Sequence, residues 1–482
     1  MTRRVFHIAN LALALAFWLF YGLKCSGTMH AIEGDSLFLY TGQFASEMLG
    51  RNGGLSNWLG AFVTQFYYYP LLGSAVTGLL LALLALGVSK FCRSELMLPL
   101  SLLPSAACAF LLLDSKWTLA LPVALCLCVW PGYAVSRIKV LWLKLACAVP
   151  LAVFAWFKII NCQFYTYAEA PSRIYFTVVA ATFLICLLSA VIPQTRMKWI
   201  PSIVTVLLAA GIAMIVPGRV DKFQEEIDSY AYKVRVRDWD GIIASASGRR
   251  LSSPLSANAV NLALEMKGRL GDEMFNYYQN GVRSLINFEE RKFSSEILYL
   301  LGFVNEARHL AFEDMAGNPS RDRGVYHLTR LANYNYVDSL RRPIAERYIT
   351  TLHKTLFYRN FEPEHLVSPE MEPCQDFFFD FGDFTHMLGF LHHQRPDNAR
   401  ARDYFAASLL LDKQITLFSS FFQETEDSPK SWREAFQVAR SLNGGGTAPE
   451  LQEYVDSYNA CRGNAGGMNR YSKTFWYYFN FR

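Results

Sequence analysis

Residues Leu71–Val88 read LLGSAVTGLLLALLALGV, eighteen positions without a charge. A helix crossing about 30 Å of hydrocarbon needs roughly 20 such residues at 1.5 Å each. A core helix of a soluble protein would carry a polar stripe; this run is apolar on every side. Six other stretches share the pattern: about Val5–Leu23, Leu96–Leu113, Trp117–Val135, Val140–Ile160, Ile174–Ile192 and Ile200–Val216. Leu96–Leu113 and Trp117–Val135 are near the minimum length and read as a tight hairpin about Asp114-Ser115-Lys116. Seven spans are therefore expected.

Beyond residue 217 the chain changes character. The first 217 residues hold 14 Lys/Arg and 6 Asp/Glu, against 32 and 35 in the remaining 265. The second density is ordinary for soluble protein and the first is far below it. One soluble domain is excluded, and no basic block suggests nucleic acid. The expected fold class is all-α, a polytopic membrane bundle followed by a soluble helical domain. The bounds are 1–217 for the membrane module with an outward loop at 24–70, 218–360 for helical repeats, and 361–482 for a C-terminal helical region.

Basic residues near span ends stay in the cytoplasm. With the N-terminus inside, Arg3, Arg4, Lys90, Arg93, Arg137, Lys139, Lys144, Arg196 and Lys198 fall inside, and Lys24, Arg51, Lys116, Lys158 and Arg173 fall outside. Nine against five predicts an N-terminus in the cytoplasm, and an odd span count puts the C-terminal domain on the other side. The first apolar run is too long for a signal-peptide core, and Lys24 before Cys25 spoils a lipoprotein cleavage site, so an uncleaved anchor is expected. Cys25, Cys162, Cys374 and Cys461 would face the oxidising side, where a Cys374–Cys461 bond is open to formation. No Cys/His spacing suggests a metal, and the adjacent His392 and His393 point about 100° apart on a helix.

The acids of the membrane half cluster on the outer side: Glu33, Asp35, Glu47, Asp114 and Glu169, with only Glu95 inside. The loop 24–70 carries His30-Ala-Ile-Glu33-Gly-Asp35, an amphipathic stretch, and Phe66-Tyr67-Tyr68-Tyr69-Pro70. A long loop with helical periodicity lies on the membrane face or forms part of a site. The bland reading makes Glu33 and Asp35 solvated acids around a Gly34 turn and the tyrosines an interfacial belt. The pair of acids beyond a first span, followed by an interfacial helix, resembles the first outer loop of the GT-C membrane glycosyltransferases. That resemblance implies a polyprenyl-phosphate sugar donor, with Glu33 or Asp35 as general base or as ligand to a divalent cation. It implies Lys158 or Arg173 against the leaving phosphate, and Tyr67 and Tyr68 as substrate contacts.

In the second half, Arg291–Pro319 reads as a helix pair, with Gly302 at the turn, Ala307 at the helix contact and Pro319 at the stop. These offsets resemble a tetratricopeptide repeat, with Asp314 where a small residue is usual, and divergent copies surround it. The aromatic tail Phe475-Trp476-Tyr477-Tyr478-Phe479 is too apolar to hang free and should dock on the helical domain or the membrane. Across the whole chain, Gly54-Leu55, Thr64-Gln65-Phe66-Tyr67-Tyr68, Tyr69-Pro70, Asn261-Leu-Ala-Leu264 and Thr355-Leu-Phe-Tyr358 resemble an uncharacterised family of Bacteroidota membrane proteins. That resemblance implies the inner membrane with a periplasmic C-terminal domain. Two functions stay open: a glycosyltransferase whose repeat domain presents the acceptor, and a non-catalytic anchored scaffold that binds a periplasmic protein. A transporter is disfavoured by the scarcity of ionisable residues inside the spans.

Overall fold

The computed structural model describes residues 2–161, 171–193, 199–248, 251, 253–289, 291–316, 324–371 and 382–482. Helices build it throughout; among the described residues the one strand-like feature is an isolated bridge between Asn280 and Val282. The chain forms two compact units. One comprises Met1–Ser229, Met315–Thr329 and Arg347–Glu362; the other comprises Tyr230–Asp314, Arg330–Glu346 and Pro363–Arg482. The chain thus passes from one unit to the other five times.

The first unit contains α1 (Thr2–Lys24), α2 (Ser26–Gly34), α3 (Gly42–Gly50), α4 (Gly54–Thr64), α5 (Pro70–Phe91), α6 (Leu103–Leu111), α7 (Ala120–Ser136), α8 (Leu141–Phe154), α9 (Pro171–Val191) and α10 (Trp199–Ile215). Five stretches are long and apolar enough to cross a membrane: Thr2–Lys24, Pro70–Phe91, Leu141–Ile160, Arg173–Val191 and Trp199–Arg219. The two others expected as spans are shorter helices, Glu95–Leu111 and Ala120–Ser136. The sequence marks these two runs as near the minimum length, and the structure gives the first of them a physical reason. Pro99 and Pro104 remove backbone donors, so Glu95–Met97 and Pro99–Leu102 wind as 3₁₀ turns ahead of α6. A 3₁₀ turn rises about 2 Å per residue, so this segment still reaches roughly 27 Å.

Its ends match those of α1. Thr2 donates to Glu95 at 2.6 Å, and the Tyr21 hydroxyl donates to Ala109 O near the far end. Helix α7 runs back: a Cβ on Gly60 would meet Ala120 at 2.7 Å, while Tyr133 packs on Phe91 at 5.7 Å. Small residues let α1 and α5 pack closely, as membrane helices require. A Cβ on Gly78 would lie 2.6 Å from Ala14 O, and Asn10 donates to Ala82 O at 3.1 Å.

The second unit takes the last six residues of α11 (Lys222–Arg235), which begins in the first, and continues through α12 (Trp239–Ala246), α13 (Pro254–Met266), α14 (Leu270–Glu273), α15 (Arg291–Leu301) and α16 (Val304–Ala316). It shares α17 (Val325–Tyr336) and α18 (Arg342–Leu352) with the first unit, then adds α19 (Phe384–Gln394), α20 (Ala399–Leu411), α21 (Ile415–Phe421), α22 (Lys430–Leu442), α23 (Pro449–Ala460) and α24 (Phe475–Phe481). Gly302 turns α15 into α16 at φ 106°, where a Cβ would meet Met371 O at 2.8 Å. The unit's polar centre is an ion cluster. Arg237 bonds Glu296 at 2.9 Å and Glu364 at 2.7 Å, and Arg330, 2% exposed, lies 3.2 Å from Glu296. The aromatic tail forms α24, with Phe475 N–H on the Glu434 carboxylate at 2.6 Å and the Tyr478 hydroxyl on Leu411 O at 2.7 Å. Cys162, Glu169, Arg196, Lys198, Pro319 and Cys374 lie outside the described residues, and with Cys374 the expected bond to Cys461.

Candidate functional site: an acidic cleft beneath the return segments

Helix α2 follows the first span and has no side-chain cap of its own at Cys25. Glu225 supplies one. Its carboxylate accepts from Gly27 N–H at 2.7 Å, Thr28 N–H at 2.9 Å and the Thr28 hydroxyl at 2.8 Å. An acid at a helix N-terminus satisfies orphan amides and meets the positive end of the dipole. Burial pushes the Glu225 carboxyl up, and these three bonds oppose the rise.

The other end of α2 carries Glu33, Gly34 and Asp35. Two return segments of the chain, described over 324–329 and 347–362, fold over it within the first unit. Val325 N–H donates to Ser36 O at 3.1 Å, and Tyr40 N–H donates to Lys354 O at 2.9 Å. Leu37, Val325, Leu328, Tyr348, Leu352, Tyr358 and Phe361 make the apolar seam. Glu33 is 3% exposed and accepts a hydrogen bond from the Tyr358 hydroxyl at 2.8 Å. Asp35, 8% exposed, has Oδ1 4.0 Å from Nε2 of the buried His327. These acids are not the solvated turn residues of the bland sequence reading. Their covering comes from residues some 290–325 positions away.

A cleft of about 20 Å³ opens beside Glu33, lined also by Ser36, Phe38, Gln65, Val325, Thr355, Leu356, Phe357 and Tyr358. Its aromatic wall of Phe357 and Tyr358 is backed by Tyr68, which stacks on Phe357 at 4.9 Å and 7° and meets Tyr358 edge-on at 5.5 Å. Gln65 donates to Phe62 O at 2.7 Å and pairs with the exposed Tyr40 hydroxyl.

Of the residues singled out from sequence, Glu33 lines the cleft and Tyr68 packs behind its wall. Asp35 is next to the cleft and turned to His327. Tyr67 is buried in the bundle, its hydroxyl 2.9 Å from Thr77. Lys158 is committed elsewhere, donating to Leu49 O at 2.9 Å and Gly50 O at 3.1 Å, where a cation suits the C-terminal end of α3. Arg173 is exposed at the start of its span and does not line the cleft. Asp114 is exposed and accepts from Lys116 N–H at 2.9 Å, closing a local turn. His30 is 7% exposed, so it is part of the packing and not an interfacial side chain. His392 stacks on Phe422 at 5.8 Å. Among the described residues no group of three or more His, Cys, Asp or Glu could hold a metal ion.

Tyr358, Gln65, Thr355, His327 and Glu225 were not singled out as site residues. A signal for three of them was present. Thr64-Gln65-Phe66-Tyr67-Tyr68 and Thr355-Leu-Phe-Tyr358 are two short aromatic motifs far apart in the chain, and the structure brings them face to face around Glu33.

The whole chain, residues 1–482, matches a family model described as a family of unknown function, DUF6057. The chain belongs to that family. No curated protein and no solved structure matches it.

Proposed function

We propose that this multi-pass membrane protein handles a sugar at the membrane face that carries its first outward loop, transferring it from a polyprenyl-phosphate carrier to a hydroxyl of an acceptor. The observation that carries this reading is the cleft itself: a carboxylate held in place by a tyrosine, beside an amide and an aromatic wall. A cleft of about 20 Å³ has room for one hydroxyl or one water. The acceptor hydroxyl enters it while the rest of the ligand stays outside. Glu33 takes the hydroxyl proton, the freed oxygen bonds to the sugar's anomeric carbon, and the bond from that carbon to the carrier phosphate breaks with its electron pair. Of the two acids, Glu33 is the base, because it lines the cleft and Asp35 does not. The reading places the protein in the inner membrane, with the N-terminus in the cytoplasm and the helical domain in the periplasm, presenting the acceptor.

The alternative is an anchored scaffold that binds an envelope protein. It is favoured by the tie between Glu33 and Tyr358, which gives the acid a structural duty. Two variants separate the readings. Glu33→Gln removes the base while its amide oxygen still accepts from Tyr358; Tyr358→Phe keeps the carboxylate and removes the tie. Glycan profiles are compared with those of a deletion strain. Sugar transfer expects Glu33→Gln to match the deletion at undiminished protein level, and Tyr358→Phe to retain part of the activity. A deletion that changes no glycan hands the function to the scaffold reading.

A further inference from the structure

Between α17 and α18 the chain turns at Ser339-Leu340-Arg341 and enters α18 with Arg342-Pro343-Ile344. Leu340 is 87% exposed, more than any residue of the apolar spans, where Met214 reaches 73%. Ile344 is 44% exposed, and Arg342 and Pro343 between them are exposed as well. Lone exposed leucines are ordinary. Two apolar side chains and a proline on one turn, set among cations, are a different composition. Arg342 lies over the Tyr336 ring at 5.0 Å, and Arg341 is 3.2 Å from Asp338. Within 336–347 the three arginines outnumber the two acids. An apolar tip with an aromatic ring and cationic stems beside it is the chemistry of a bilayer interface: the apolar groups enter the acyl boundary and the guanidinium groups meet anionic headgroups. A bilayer is at hand for this chain, which has five helices long and apolar enough to cross one.

We infer that the 339–344 turn is a membrane-surface anchor that seats Leu340 and Ile344 in the interface of an anionic bilayer. The anchor is independent of the sugar-transfer reading and adds a second attachment of the chain to the membrane.

The test uses the full chain in nanodiscs containing phosphatidylglycerol. A ketone-bearing phenylalanine replaces Leu340 and is spin-labelled, leaving the native cysteines untouched; the same label at the exposed Glu426 is the aqueous reference. The anchor predicts that the label at 340 loses broadening by a water-soluble relaxation agent and gains broadening by oxygen, while the label at 426 does the reverse. Arg341→Gln with Arg342→Gln, or phosphatidylcholine in place of phosphatidylglycerol, should return part of the aqueous broadening at 340. Equal aqueous broadening at 340 and 426 overturns the inference. Protection at 340 accompanied by dipolar broadening between labels overturns it in favour of a second copy of the chain.

Discussion

Gly324 has no room for a side chain: a Cβ there would sit 2.3 Å from Gly34 O and 2.7 Å from the Asp35 backbone. Both neighbours are main chain, so neither can swing away. Gly324→Ala should cost about 2–3 kcal/mol, seen as faster hydrogen exchange in 324–329 with the spans unaffected. Glu434 is a residue of opposite kind. Burial raises its carboxyl from the ordinary 4.5 to about 7, and two partners oppose the rise: Phe475 N–H and, at 3.8 Å, Lys430. The folded state therefore binds the proton more tightly than the unfolded chain. Stability from this group is highest below pH 4.5, falls as pH rises towards 7, and is about 3 kcal/mol lower above it. Glu434→Gln should raise the melting temperature at pH 8 and leave it nearly unchanged at pH 4.5. A flat pH dependence in the unsubstituted protein between those limits would falsify this account.

At the scale of elements, α2 is too short to be stable by itself and is held at both ends by residues far along the chain. Glu225→Ala leaves the Gly27 and Thr28 amides without their acceptor and should cost about 2 kcal/mol. Amide exchange in peptides covering 25–35 would rise, while α1 and α5 keep their protection. The same element shows what the sequence can and cannot disclose. The long spans were legible because an apolar run states its environment locally. Of the two shorter ones, which length marked as marginal, Leu96–Leu113 was the harder, since its first turns wind as 3₁₀ around Pro99 and change the rise per residue. Glu33 was legible as an acid in a suggestive loop, but its burial was not. The residues that cover it, Gly324, Val325 and Tyr358, stand about 290–325 positions later, and no periodicity carries that distance. Lys158 shows the limit from the other side: a cation beyond a span looks available for phosphate until the carbonyls of Leu49 and Gly50 are seen to claim it.

At the scale of the molecule, the loop 24–70 and the exit of the last span lie at one end of the bundle, as the Glu225 bonds to Gly27 and Thr28 require. In the proposed topology the two shorter helices cross as a pair beside the five long spans, which makes the total odd. A periplasm-dependent reporter fused after Arg482 should therefore be active, and one inserted at Lys139, between α7 and α8, should be silent; the reverse pattern would reject the orientation. The five passages between units also have a consequence in time. Glu33 and Tyr358 are separated by 325 positions. At about 5–20 residues per second of synthesis, roughly 15–65 s elapse before the partner of the first loop exists. During that interval the nascent membrane half has a carboxylate awaiting its covering, and a ribosome stalled before residue 358 would release a bundle in which this cleft is unfinished. Closure of the cleft is thus a late event in synthesis: it waits until nearly three quarters of the chain has been made and has come back to the place where it began.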